Sequence, residues 1–319
     1  MGKEEKVISV KKDDASKVVP AIHIKNLVKK YGKLSAVSGI SLDIMPGEFF
    51  ALLGPHGAGK SSTIGSLCGL VNKTSGEVRV FGSDVESDYK LARSRIGLVP
   101  QEFNMDKFEK VRQVLLFNAG YFGLSGTARI ARVDSLLHEL GLWSKRDAKV
   151  MQLSGGMKRN LMIARALLHN PDILILDEPT AGVDVESRRS IWEYVRKLNL
   201  AGKTIFFTTH YIEEAQQLCS RIAIINNGKI IALDSKDKIM KDFGSQEIVV
   251  TLSSAIKKLS SEQFGYPVEA RGKELIVRVP KGDFDYKKFL KRIIDLPVEK
   301  IEMRQTRLED IFVKLTNTK

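Results

Sequence analysis

The segment that most constrains this chain is thirteen residues long. Phe49–Leu53 is an unbroken apolar run, and it leads directly into Gly54-Pro-His-Gly-Ala-Gly-Lys-Ser61. That octapeptide fits G-x-x-x-x-G-K-[ST], a loop that joins a buried strand to a helix N-terminus. A helical run, Ser62 to Leu67, follows and stops at Gly69. The residue types have physical reasons. Gly54, Gly57 and Gly59 let the backbone wrap close to phosphate oxygens. The N–H groups of Gly57 to Ser61 then converge on the anion, helped by the helix N-terminus. Lys60 reaches the outer phosphates as a point charge, and the Ser61 hydroxyl suits Mg²⁺. The loop specifies a nucleoside-triphosphate site. A guanine-reading Asn-Lys-x-Asp is missing: Asn72-Lys-Thr-Ser75 lacks the Asp and reads as a turn.

The rest of the chain supplies an α/β frame for this loop. From Ala21 to about Asp234, short apolar runs (Gly97–Val99, Ile173–Leu176, Ile205–Thr208, Ile222–Ile225) alternate with helical patterns. Runs of four to five apolar residues suit parallel strands covered on both faces. The fold class expected is α/β, a P-loop NTPase (RecA-like) core. Strands vanish between Gln101 and about Leu168, where Val111–Tyr121, Ala128–Leu140 and Gly156–Leu168 read as helices. This is a helical subdomain inserted into the core. Residues 236–319 change style. Glu247–Leu252, Glu274–Val279 and Val298–Met303 read as strands. Tyr286, Phe289, Leu290, Ile293 and Ile294 share one helix face, and Leu308, Ile311, Phe312 and Leu315 another. A small C-terminal α+β domain with its own core is expected. Residues 1–20, polar and mixed in charge, are expected to be a disordered lead-in to an α/β domain over 21–235.

Composition excludes several classes. No stretch approaches 18 consecutive apolar residues, so no membrane span is expected, and the first twenty residues have no apolar region of a secretory signal. Met1-Gly2 is not a myristoylation start, because Lys6 stands where Ser or Thr is needed. Two cysteines, Cys68 and Cys219, make no framework and read as small buried hydrophobes in a reducing compartment. The net charge of +13 is spread along the chain rather than gathered in a tail. It reads first as a Lys-rich solvated surface and permits anionic partners.

Two further motifs bear on chemistry. Ile173-Leu-Ile-Leu-Asp177-Glu178-Pro179 is an apolar strand ending in two carboxylates, 117 residues beyond Lys60. Asp177 is placed to hold Mg²⁺, and Glu178 to polarise a water as general base. Leu153-Ser154-Gly155-Gly156-Met157 opens a helix, with Ser154 suited to the N-cap and the glycines leaving backbone N–H groups bare. It is a second phosphate-binding helix end, and it starts 23 residues before Asp177.

With that order of motifs, residues 22–234 resemble the ATP-binding cassette (ABC) ATPases. The resemblance implies ATP and Mg²⁺ as cofactors. It places adenine stacking on Tyr31, and ATP contacts on Gly54, Pro55, His56, Gly57, Ala58, Gly59, Lys60, Ser61 and Ser62. It implies Mg²⁺ ligation by Ser61, Gln101 and Asp177, with Gln101 also near the attacking water and His210 on the γ-phosphate. The catalytic set it implies is Glu178, His210, Gln101 and Lys60. Ser154, Gly155, Gly156 and Asp184, the last within Ala181-Gly-Val-Asp184, would act on the ATP of a second copy in a homodimer. Within the family the chain is similar to the ABC-2 exporter subgroup (DrrA-like, with YadG-like cassettes the nearest match). The residues carrying this are Gly97-Leu-Val-Pro-Gln-Glu-Phe103, Gly155-Gly-Met-Lys-Arg159 and Arg307-Leu-Glu-Asp-Ile-Phe-Val313. The function implied is ATP hydrolysis that powers an exporter, through an ABC-2 type permease on a separate chain, at the cytoplasmic face of the cell's inner membrane. Phe103, Met105 and Phe108 lie where the family contacts that permease, and read either as core or as that contact. His23, His138 and His169 read as structural. Two residues depart from the family pattern: His56 stands where Asn or Ser is usual, and Ser62 where Thr is usual. Both still donate hydrogen bonds, so ATP binding is expected. The rival reading is a cassette without a permease, acting on nucleic acid or ribosomes. Such relatives usually carry two cassettes or a long coiled coil, and this chain shows neither, so nucleic acid is not an expected partner.

Overall fold

A computed structural model describes residues 18–243, 246–254, 266–279, 284–305 and 308–317. The expected N-terminal disorder falls mostly on residues 1–17, outside the described residues, as does Arg307.

The central layer is a six-stranded sheet. In spatial order its strands are β10 (Lys229–Ser235), β9 (Arg221–Asn226), β3 (Phe49–Leu53), β8 (Thr204–Thr209), β7 (Ile173–Asp177) and β6 (Ile96–Val99). All pairs are parallel except β10 with β9. Every residue of β3, β7 and β8 is buried. This is why those strands read as continuous apolar runs. Alternate side chains feed two cores. Phe49, Leu53, Leu174, Leu176 and Phe207 join one hydrophobic cluster, while Phe50, Leu52, Ile173, Ile175 and Phe206 join the other.

The first cluster is covered by the inserted helices α3 (Val111–Tyr121), α4 (Gly126–Glu139) and α5 (Gly155–Leu167). No strand intervenes between β6 and β7. The second cluster is covered by α1 (Lys60–Leu67) and by an antiparallel sheet in the order β2 (Leu34–Ile44), β1 (Ile22–Tyr31), β4 (Ser75–Val80), β5 (Ser83–Asp84). Parallel-strand reasoning did not find this sheet. Register shifts at Ile24/Leu27 and Leu27/Val28 are the cause, because each bulge moves the buried residue off the period of two. The cysteines are buried as expected, and burial, with Asp177 second, pushes the Cys68 thiol up to about 12.

Beyond Asp234 a four-stranded antiparallel sheet has the order β12 (Val268–Arg271), β13 (Glu274–Val279), β11 (Gln246–Leu252), β14 (Val298–Gln305). With helix α9 (Tyr286–Ile293) it encloses a third cluster that includes Val250, Val277 and Phe289. Strand β12 and helix α8 (Lys236–Phe243) add to the elements read from sequence. The final helix, α10 (Leu308–Asn317), does not join this cluster. Its Leu308 and Ile311, with Ile239 of α8, belong to the first cluster, and Asn226 Nδ2 donates to Thr316 O at 3.0 Å.

That sharing has a measurable consequence. Trp143 and Trp192 both lie before Asp234. Leu308→Ala removes a fully buried side chain (0% exposed), and it should destabilise the tryptophan-monitored unfolding transition by about 2–5 kcal/mol. Phe289→Ala, in the third cluster, should leave that transition nearly in place. Equal effects in urea titrations would show the clusters to be one cooperative unit.

Candidate functional site

The carboxyl ends of β3, β8, β7 and β6 lie side by side, and the loops that leave them carry the chemistry. After β3 comes the phosphate loop. Gly59 is the N-cap of α1 at φ 108°, and a Cβ there would sit 2.4 Å from the Ala36 carbonyl oxygen. Glycine is required at this position on both counts. Strand β7 ends on Asp177 and is followed by Glu178, and β8 ends on Thr208 and Thr209 and is followed by His210. After β6 comes Gln101, held by a buried arginine: Arg159 of α5 donates to Pro100 O at 2.8 Å and to Gln101 O at 3.1 Å.

Glu178 is the hub. Its residue is 4% exposed and its φ is 46°. A left-handed conformation costs a side-chain-bearing residue about 1–2 kcal/mol, and such strain gathers at functional sites. The Glu178 N–H donates to Thr208 O at 3.1 Å and to Thr208 Oγ1 at 3.2 Å. On the carboxylate, Oε1 pairs with Lys60 Nζ at 3.1 Å. Oε2 lies 3.1 Å from His210 Nδ1 and accepts from Gln101 Nε2 at 3.3 Å. Lys60 also donates to Gly54 O at 2.8 Å and Pro55 O at 3.0 Å. The four catalytic candidates therefore meet on one carboxylate. Beside it, Asp177 accepts from the Thr208 hydroxyl.

The proposed Mg²⁺ donors, Ser61 Oγ, the Gln101 amide oxygen and the Asp177 carboxylate, are all oxygens, and that set fits a hard octahedral cation. The ring of Tyr31 ends β1 and is 46% exposed, with Lys29 Nζ 4.5 Å from its centre. None of the contacts given above for the Glu178 carboxylate comes from Ser154, Gly155, Gly156 or Asp184. The Ser154 hydroxyl accepts from Met157 N at 3.2 Å as the N-cap of α5. Asp184 accepts from Ser187 N at 2.9 Å as the N-cap of α6 (Val185–Leu200), and that bond holds its carboxyl below the usual range. A Cβ on Gly156 would meet Ser187 Oγ at 2.3 Å, so the two helix starts are packed together.

Sequence reasoning missed the clamp behind the histidine. Glu214, on α7 (Ile212–Leu218), is fully buried and accepts from Thr180 and from Thr209 Oγ1 (the latter at 2.6 Å). It ties the residue two beyond Glu178 to the residue before His210, and burial raises its carboxyl pKa. Its only sequence signal is a carboxylate one helical turn past the histidine. The other histidines are structural contacts: His23 with Asp43, His138 stacked on Trp143, and His169 hydrogen-bonded to Ile96 O. Phe103 and Met105 pack partly against the first cluster, and Phe108 is exposed.

Comparison with known proteins gives a consistent result. The ABC transporter family model matches residues 37–181. "Nod factor export ATP-binding protein I" of Burkholderia orbicola (strain AU 1054) is 39% identical over 300 residues, covering 93% of this chain and 97% of its own. The protein of that name from Rhizobium etli (strain ATCC 51251 / DSM 11541 / JCM 21823 / NBRC 15573 / CFN 42) is 36% identical over 312 residues, covering 97% and 98%. Among solved structures, the ATP-binding cassette MJ0796, in a dimeric post-hydrolysis state bound to ADP and Pi, aligns with TM-score 0.62 at 30% identity, covering 67% of this chain and 98% of that one. The cbiO1 subunit from Clostridium perfringens, part of the complex cbiONQ, aligns with TM-score 0.64 at 27% identity, covering 70% and 91%.

Proposed function

The chain belongs to the ABC transporter family as an ATP-binding, ATP-hydrolysing subunit, and from that premise we propose how its residues do the work and what they power. The reaction is hydrolysis of ATP coupled to export across a membrane. The export reading is supported by the names of relatives that align over nearly their full length. The site reading is carried by one observation: Lys60, Gln101 and His210 all converge on the Glu178 carboxylate.

In the proposed mechanism ATP enters with its adenine on Tyr31 and its phosphates in the loop from Gly54 to Ser62. Pro55, His56, Gly57, Ala58 and Gly59 shape that cradle, and Lys60 leaves Glu178 for the outer phosphates. Mg²⁺, when bound with ATP, neutralises charge on the phosphate oxygens. Ser61, Gln101 and Asp177 are the residues that would hold it. Once Lys60 has moved, the Glu178 carboxylate is free to accept a proton from the attacking water, and His210 contacts the γ-phosphate. The Ser154 helix of a second copy closes the site, together with its Gly155, Gly156 and Asp184. The Ser154 hydroxyl caps its own helix through Met157 N, and the contacts on the Glu178 carboxylate come from Lys60, Gln101 and His210 and not from Ser154, which is consistent with this composite arrangement. Two ATP-bound chains would close and reopen with each turnover.

No helix among the described residues is long and apolar enough to cross a membrane. The proposed partner is an ABC-2 type permease on a separate chain, docked at the cytoplasmic face of the cell membrane. Residues 21–235 are the proposed ATPase unit, with the helical insertion over 101–168, and residues 236–319 the proposed accessory unit. Pull-down of the chain from detergent-solubilised native membranes tests the assignment. A multispanning protein should accompany it in stoichiometric amount. Recovery with ribosomes or nucleic acid and without a membrane protein would favour the rival reading.

A further inference from the structure

We propose that His56, Glu178 and His210 form a binding site for one divalent transition-metal ion, Zn²⁺ above all, in the nucleotide-free protein. One ligand atom from each of these residues lies within 4.8 Å of the other two. The two imidazole rings lie side by side, tilted by 46°, with centroids 4.5 Å apart. The Glu178 carboxylate beside them is almost fully buried and is already oriented, with Oε1 on Lys60 and Oε2 turned to His210. The three residues come from the ends of three neighbouring strands, so the sheet itself sets the spacing.

Two imidazoles and one carboxylate are a zinc ligand set that leaves a fourth position for water. In a tetrahedral site, bonds of about 2.0–2.1 Å hold ligand atoms about 3.4 Å apart, so from the 4.8 Å bound closing the site takes a side-chain shift of up to about 1.4 Å. His56 can supply it, because it is exposed and followed by Gly57 at φ 77°. The donor types also set the selectivity. Imidazole nitrogen suits Zn²⁺, Cu²⁺ and Ni²⁺, whereas Mg²⁺ requires oxygen and keeps its waters. This site is therefore distinct in chemistry from the oxygen set of Ser61, Gln101 and Asp177. The Lys60 ammonium, 3.1 Å from Glu178 Oε1, opposes a second cation. The affinity accordingly falls below that of a structural zinc site with charged thiolate ligands.

Ion binding needs only these three side chains and holds whether or not Glu178 serves as the base. Where Glu178 and His210 act on ATP as proposed above, an ion held here would occupy both. Metal and nucleotide then exclude one another, and each weakens the other's binding by the same factor.

The test uses untagged, full-length, nucleotide-free protein. Zn²⁺ affinity is read by competition with a chromophoric chelator, and coordination by the visible spectrum of bound Co²⁺. The expected result is one ion per chain, retained in excess Mg²⁺, with the intense d–d bands of four- or five-coordinate Co²⁺. His56→Asn should weaken binding by roughly 100-fold, at least the top of the 10–100-fold range for a lost supporting partner of a metal ligand. His210→Gln gives an independent second ligand loss, and circular dichroism checks that both variants are folded. Should neither fold, the wild-type Co²⁺ spectrum and the Mg²⁺ competition still decide. Equal affinity in wild type and folded His56→Asn, displacement by Mg²⁺, or a weak octahedral Co²⁺ spectrum overturns the site.

Discussion

Glu178→Gln should bind ATP and turn it over about 10²–10⁴-fold more slowly, the range carried by a positioned general base. The amide keeps the shape and cannot take the proton. The structure adds a second expectation. In the nucleotide-free chain, Glu178 is the buried charge partner of Lys60. Removing one partner of a buried pair costs about 3–5 kcal/mol, here reduced because Gly54 O and Pro55 O still accept from Lys60. The variant should therefore melt earlier than wild type when empty, and ATP, which gives Lys60 new anionic partners, should raise its melting temperature by more than it raises wild type's. Differential scanning fluorimetry with and without ATP reads this, and rapid-quench turnover reads the chemistry. Near wild-type steady-state turnover would remove Glu178 from the role of base.

Lys60→Ala and Ser154→Arg should each abolish turnover, and mixing them should restore it. A lost electrostatic partner of the reacting phosphates is worth about 10²–10³-fold, and an arginine at the Ser154 cap blocks the face that meets the second copy. If each site draws Lys60 from one chain and Ser154 from the other, a mixed dimer has one doubly damaged site and one with neither lesion. Equal mixing into two-fold dimers then yields roughly a quarter of wild-type activity from two inactive parents. A mixture as inactive as its parents would mean that both residues serve the ATP of one chain, or that both sites must be intact.

How much of this was legible in the sequence depends on where burial is two-sided. Strands β3, β7 and β8 read directly from Phe49–Leu53, Ile173–Leu176 and Ile205–Thr208, because both faces are covered and nearly every position is apolar. Helices α3 and α4 read nearly to their ends for the complementary reason, one buried stripe each, and α5 because it is buried over most of its surface. Strand β1 did not, because its bulges break the alternation that marks a half-buried strand. The members of the site were legible as motifs. Their meeting on one carboxylate was not, because strand order, not chain order, makes β3, β8, β7 and β6 neighbours. The same holds for Arg159 behind Gln101 and for Glu214 behind His210. Each makes its contacts over a separation or a buried turn that no local pattern encodes. The assignment of Leu308 and Ile311 to the first cluster is a third case, since their helical stripe fits either core equally well.

The account rests on an ATP sandwiched between two copies of this chain, and sedimentation velocity of Glu178→Gln tests it most directly. Without nucleotide the chain should sediment as a monomer. With ATP it should sediment as a dimer whose association constant drops when Ser154→Arg is added. A wild-type chain that stays monomeric with ATP, yet hydrolyses it at a rate per chain independent of concentration, would contradict the composite site.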